Sequence, residues 1–93
     1  MPEYKVVAHR RVQRFVKSLR DDNFRSAVIN HIEKLGDYPL SLKEMDVEKI
    51  KGLEKTFRIR VGTCRIIFQV DTKEKVVYVT HVEARKKAYK KLE

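Results

Sequence analysis

Hydrophobic and polar residues alternate most regularly across Phe57–Gln69, FRIRVGTCRIIFQ, where the rhythm is interrupted only at Gly62-Thr63. A period of two is that of a strand whose side chains point to opposite faces in turn. The pattern therefore predicts a hairpin, Phe57–Val61 and Cys64–Val70, turned at Gly62-Thr63. Phe57, Ile59 and Val61 share a buried face with Cys64, Ile66, Phe68 and Val70. Arg58, Arg60 and Arg65 then fall on the open face, beside Ile67 and Gln69. A solvated strand face accounts for exposed charge in an arbitrary hairpin. Three arginines gathered on one small face also suit an anionic ligand.

The remaining elements follow from the same kind of reading. Tyr4–Ala8 is apolar and β-branched enough for an opening strand. From about Arg10 the period lengthens, and Val12, Phe15, Val16 and Leu19 form one stripe of a helix. Asp21-Asp22-Asn23 offers capping chemistry for a second helix, with Phe24, Ala27, Val28, His31, Ile32 and Leu35 along its apolar side and Gly36 as its C′ residue. Two helices so closely joined form an antiparallel hairpin. Residues 39–48 have no pattern and read as a loop, and Val47–Lys51 reads as a short strand stopped by Gly52. Asp71–Lys75 is a polar turn before the strong strand signal of Val76–Val82, and Ala84–Leu92 has the spacing of a short basic helix. The order β-α-α-β-β-β-β-α predicts an α+β fold. An N-terminal strand and helical hairpin pack on a small antiparallel sheet, with a short basic helix at the C-terminus.

Length and charge sharpen this picture. Ninety-three residues suffice for a single domain, 1–93, able to bury about two-thirds of its unfolded surface. Against 13 Asp+Glu stand 22 Lys+Arg, a formal charge of +9, which favours polyanionic partners. The excess is concentrated. Lys49, Lys51, Lys55, Arg58, Arg60 and Arg65 face one acid, Glu54, and Arg85, Lys86, Lys87, Lys90 and Lys91 face only Glu93. No apolar run approaches the ~18 residues of a membrane span, and no signal peptide opens the chain, so an intracellular, cytoplasmic protein is expected. A lone cysteine, Cys64, has no partner for a disulfide, and the scattered His and Cys have no metal-ligand spacing, so neither metal nor cofactor is expected.

The order of elements, Ile50-Lys51-Gly52-Leu53 before the meander, Phe57-Arg58-Ile59-Arg60, Cys64-Arg65-Ile66-Ile67-Phe68 and the closing Val82-Glu83-Ala84-Arg85 with Lys86-Lys87-Ala88-Tyr89 together resemble the RelE/ParE superfamily of toxin–antitoxin toxins. The resemblance spans nearly the whole chain and favours the RelE branch. It implies a messenger-RNA endoribonuclease that acts in the ribosomal A site and is neutralised by an acidic, RelB-like antitoxin, in a complex that is heterotetrameric or larger. The positions that carry this chemistry in the family are occupied by Arg58, Arg60, Arg65, Arg85 and Tyr89. ParE-like members share the fold, act on DNA gyrase and commonly lack this set. A gyrase inhibitor, or an inactive toxin that only binds its antitoxin, is the alternative.

RNA can be cut without metal when its own 2′-OH attacks the adjacent phosphorus. Guanidinium groups suit the charge that develops there, because they are planar, always ionised and bind phosphate oxygens in pairs. Arg65 and Arg85 are assigned to the scissile phosphate, and Arg58 and Arg60 to the same charge or to flanking phosphates. Tyr89 can stack on a base or protonate the leaving 5′-oxygen, although a phenol of pKa about 10 is a weak acid for the task. RelE-type enzymes often present lysine where this chain has Arg58 and Arg60, and arginine cannot serve as a base. His81 and, less favoured, Glu83 are the candidate bases, with the face of His81 left open by the pattern. Lys49, Lys51, Lys55, Lys86, Lys87 and Lys90 supply general attraction to RNA. His9 reads as a capping or solvated residue and His31 as a hydrogen-bonded core histidine.

Overall fold

The computed structural model describes residues 3–84, so Arg85, Lys86, Lys87, Tyr89, Lys90 and the body of the expected basic helix lie outside the described residues. Strand β1 (Lys5–Ala8) leads into helices α1 (Arg10–Ser18) and α2 (Asp22–Lys34). Strands β2 (Asp46–Lys49), β3 (Thr56–Val61), β4 (Cys64–Asp71) and β5 (Val76–Ala84) follow. They form one five-stranded sheet in the order β1-β5-β4-β3-β2. The two helices cover one face, and among the described residues no element covers the other.

Both helices begin as their sequences dictate. The His9 ring accepts a hydrogen bond from the Arg11 amide and caps α1, and the Asp21 carboxylate accepts one from the Phe24 amide and caps α2. Val12 from α1 and Val28 and Leu35 from the α2 side reach the core, where they meet Ile59, Ile66, Phe68, Val77 and Val79. Every apolar residue that the alternation assigned to the inner face of β3 and β4 lies there. Cys64 is 1 % exposed, and burial pushes its thiol pKa up, which makes it a small core residue and not a reactive one.

Four expectations are corrected. The sheet is not wholly antiparallel: β1 pairs with β5 in parallel, Val6 beside Val77 and Ala8 beside Val79. The helical hairpin carries the chain across the sheet, so its first strand joins its last. Gly36 does stand at C′, after the Leu35 cap of α2, where the chain tightens into a 3-10 turn, Leu35–Asp37, in which Gly36 is buried and its carbonyl accepts from the amides of Glu3 and Tyr4. The patternless stretch after Pro39 contains a second 3-10 turn, Leu40–Glu44, too short to leave a periodic signature. Strand β2 is Asp46–Lys49 and not Val47–Lys51, since its register follows β3 and Ile50 already turns back to Thr56. Lastly, β5 runs to Ala84, past Val82.

The turn at Gly62-Thr63 fixes the hairpin that matters most. Val61 pairs with Cys64 across a two-residue connection, and Gly62 has φ 59° while Thr63 does not enter the left-handed region. This is the type II′ arrangement, whose twist matches that of the flanking strands. A Cβ at Gly62 would lie 2.9 Å from the Phe24 ring of α2, so the same residue lets helix and hairpin close on one another. Gly62→Ala is expected to destabilise the fold by about 1–3 kcal/mol, from left-handed strain and displacement of Phe24. The midpoint of chemical denaturation checks this, and an unchanged midpoint would contradict it.

Candidate nucleic-acid interface

The open face of the sheet is organised in two charged rows. Strand register aligns Asp46, Arg60, Arg65 and Glu83 across β2, β3, β4 and β5. One row along, it aligns Glu48, Arg58, Ile67 and His81. Arg60 thus stands directly opposite Arg65, where cross-strand neighbours have Cβ atoms about 4.5–5.5 Å apart and like charges oppose one another.

The flanking strands answer that repulsion. Arg58 donates through Nη2 to Glu48 at 3.0 Å, while Arg60 Nε lies 3.2 Å from the Asp46 carboxylate and Arg65 Nη2 3.7 Å from that of Glu83. Arg65 is the least satisfied of the three: its Nε is buried and has no hydrogen-bond partner among the described residues. These pairs are partly exposed, a setting in which an ion pair contributes about 0–1 kcal/mol. They hold the guanidinium groups in place weakly enough for a better acceptor to replace a carboxylate. A phosphate can accept from two arginines at once, which no single carboxylate of this face does among the described residues.

A β-bulge resolves the orientation of His81. Phe68 pairs with Val79 and Ile67 with His81, so Thr80 is the extra residue. Its hydroxyl donates to the Ile67 carbonyl at 3.3 Å. Val77, Val79 and Val82 remain in the core, and His81 emerges on the arginine face with Nδ1 3.1 Å from Thr80 Oγ1. Glu83 shares that face through its contact with Arg65. His9 stands at the neighbouring corner. Its pKa lies below the ordinary value of 6.5, chiefly because packing strips its hydration and then through the charges of Arg11, His81 and Arg10.

The lysines divide. Lys49 lies opposite Phe57 and so has the strand parity of the helix-covered face, away from the arginine rows. Lys51 is in the turn after β2, and Lys55, with φ 52°, sits immediately before β3. Both are at the end of the β2–β3 hairpin remote from Arg60. The basic stretch 49–70 is therefore not one continuous patch. Sequence reasoning also missed Asp46 and Glu48, for which alternation within Asp46–Lys49 was the available signal. His31 is half-buried, with Nδ1 2.8 Å from the Ala27 carbonyl, a helix-internal contact.

A family model for the ParE toxin of type II toxin–antitoxin systems, parDE, matches residues 6–89. The chain belongs to this toxin family. Within the RelE/ParE superfamily it is RelE-like. A protein described as a candidate toxin, RelE1, from Methanocaldococcus jannaschii is 26 % identical over 88 residues, covering 95 % of this chain and 97 % of that protein. The RelE of the RelE–RelB complex from Pyrococcus horikoshii superposes with a TM-score of 0.76 at 26 % identity, over 89 % of this chain and 96 % of that one. The isolated RelE toxin of E. coli, at 17 % identity, TM-score 0.69 and coverage of 97 % and 99 %, shares the fold.

The weak internal pairing has a measurable consequence. Asp46→Asn releases Arg60 from its carboxylate, and a stability change below about 1 kcal/mol is expected. Affinity for a short single-stranded oligonucleotide at low salt should rise roughly threefold to tenfold, with a steeper salt dependence. Fluorescence anisotropy titrations at two salt concentrations measure it. Equal or weaker binding by the variant would contradict the displacement of Asp46 by phosphate.

Proposed function

We propose that this toxin is a ribosome-dependent endoribonuclease that cuts messenger RNA in the A site and so inhibits translation. The observation that carries the reading is the Arg60–Arg65 pair, two arginines directly opposite one another in strand register on the sheet face that the helices leave uncovered, with Arg58 one row away. In this reading Arg65 and Arg60 bridge the non-bridging oxygens of the scissile phosphate, with Glu83 and Asp46 giving way. The 2′-OH attacks phosphorus, its proton is taken up, the 5′-oxygen departs with a proton, and a 2′,3′-cyclic phosphate remains. Charge on the phosphorus oxygens grows as the transition state forms, and fixed guanidinium groups stabilise it without reorganising.

His81 is the proposed base, because the bulge brings its ring to the arginine face in the Arg58 row. Glu83 is occupied by Arg65, which makes it the weaker candidate. Arg58 holds a flanking phosphate. Arg85 and Tyr89, outside the described residues, are proposed from the family resemblance to complete the phosphate contacts and to stack or donate a proton. No metal or cofactor is invoked. The partners are the ribosome, messenger RNA and an acidic RelB-like antitoxin in a cytoplasmic complex that is heterotetrameric or larger. A cationic face should attract such a chain and lose its RNA site when covered. Among the described residues, no helix is long and apolar enough to cross a membrane.

The match to a ParE model supports a second reading, a gyrase inhibitor on the same fold. Mapping of 3′ ends in a purified translation system separates the two. Cuts within A-site codons that require ribosomes and leave cyclic phosphate are expected, and Arg65→Ala should reduce them roughly a hundredfold or more while remaining folded. Intact RNA together with a block of DNA supercoiling would replace the nuclease by the gyrase reading.

A further inference from the structure

The open face carries one aromatic residue that the proposed chemistry does not use. Tyr78 on β5 is 40 % exposed, and Val7 beside it on β1 is 38 % exposed. They are the two large apolar side chains left exposed within the described strands. On the other side Tyr78 pairs with Gln69 of β4, whose amide is also exposed. Tyr78 and Gln69 line a shallow depression with Lys55, Lys73, Glu54 and Asp71. Asp71 is committed to its own turn, where one carboxylate oxygen accepts from the amides of Lys73 and Glu74. Lys55 is fixed by backbone, its carbonyl accepting from Val70 at 2.9 Å.

The depression adjoins the arginine rows. Along β4, Gln69, Ile67 and Arg65 project from the same face at two-residue intervals, so Gln69 lies roughly 13–14 Å from Arg65, with the Arg58–His81 row between them. The two ends differ in character. The Arg60–Arg65 end presents two guanidinium groups held by weakly paired carboxylates that a phosphate can replace. At the Tyr78 end two lysines balance two carboxylates around an aromatic ring and an amide. That combination does not select an acidic peptide. It provides a π-face for stacking and a donor–acceptor pair for a base edge, the means by which unstacked single strands are held.

We propose that Tyr78 and Gln69 form a nucleobase subsite for a single-stranded RNA whose scissile phosphate lies on Arg60 and Arg65. The base stacks on the Tyr78 ring against Val7, and the Gln69 amide meets its edge. The subsite rests on the nuclease reading for the position of the phosphate, but base binding needs no cleavage and is measured separately. It makes this end of the sheet a source of preference for the sequence flanking the cut.

The chain has no Trp, so Tyr78→Trp creates a single fluorescent reporter at the site. The probe is a short oligoribonucleotide with a 2′-O-methyl group at every position, which blocks attack by the 2′-oxygen, compared with the same strand lacking its bases. Emission should be quenched by the base-bearing strand and unchanged by the abasic one. Tyr78→Ala should bind the base-bearing strand roughly tenfold more weakly and the abasic strand equally, with Tyr78→Phe close to the native chain. An unquenched Trp in a complex that forms, or equal binding by Tyr78→Ala, would overturn the subsite. Failure of the native chain to bind the free strand would overturn it too, leaving ribosome-dependent cleavage to stand or fall by end mapping. Intact RNA binding by Tyr78→Ala with loss of an acidic antitoxin peptide would reassign the face to protein docking.

Discussion

The register between β3 and β4 is the constraint on which the site depends. A two-residue turn at Gly62-Thr63 sets Val61 against Cys64, and every later pair follows, including Arg60 against Arg65. A slip of one residue would send all the arginines of one strand into the core and its apolar residues into solvent. The core therefore enforces an unfavourable contact between like charges. Ile59, Ile66 and Phe68 are fully buried, and their burial outweighs a repulsion that solvent and neighbouring carboxylates moderate. The cationic pair is a consequence of the fold, held there at modest cost until an anion arrives.

The carboxylates make the resting face nearly self-neutralised. Asp46 and Glu48 on β2 and Glu83 on β5 bracket the three arginines from both sides. This arrangement keeps long, flexible guanidinium side chains near one geometry, reducing the ordering that a ligand must impose. It also sets a threshold, since a bound anion has to offer more than a carboxylate does. A phosphodiester lying between two guanidinium groups meets that condition, and isolated chloride or an exposed acidic side chain does so less well.

How much of this was legible in the sequence depended on distance along the chain. Alternation over Phe57–Gln69 was sufficient for the faces of β3 and β4, because the signal and the structure are both local. The helical stripes and the Asp21 cap were legible for the same reason. The partners of the arginines were not, since Asp46, Glu48 and Glu83 meet them only through strand pairing. Nothing local marks β1 as the parallel neighbour of β5. The bulge at Thr80 was hidden as well: Val79 and Val82 both face the core, a spacing that defeats a period of two and left the face of His81 undecided. Gly36 was legible as the C′ residue of α2, but the 3-10 turn in which it receives the N-terminal backbone was not, because its partners Glu3 and Tyr4 are distant in the chain. Arg85 and Tyr89 lie beyond the described residues, so their part rests on resemblance alone.

The central claim is that Arg60 and Arg65 share one phosphate, and the most direct measurement follows their own Nε–H groups. Nitrogen–proton correlation spectra of the arginine side chains, recorded while a 2′-deoxy-blocked oligonucleotide is added, resolve each guanidinium. The account predicts that the Arg60 and Arg65 signals move together, with a common midpoint, as Asp46 and Glu83 are displaced. Arginine signals on the helices should stay in place. Saturable binding that leaves both Arg60 and Arg65 unmoved, or that shifts the helix arginines instead, would contradict it.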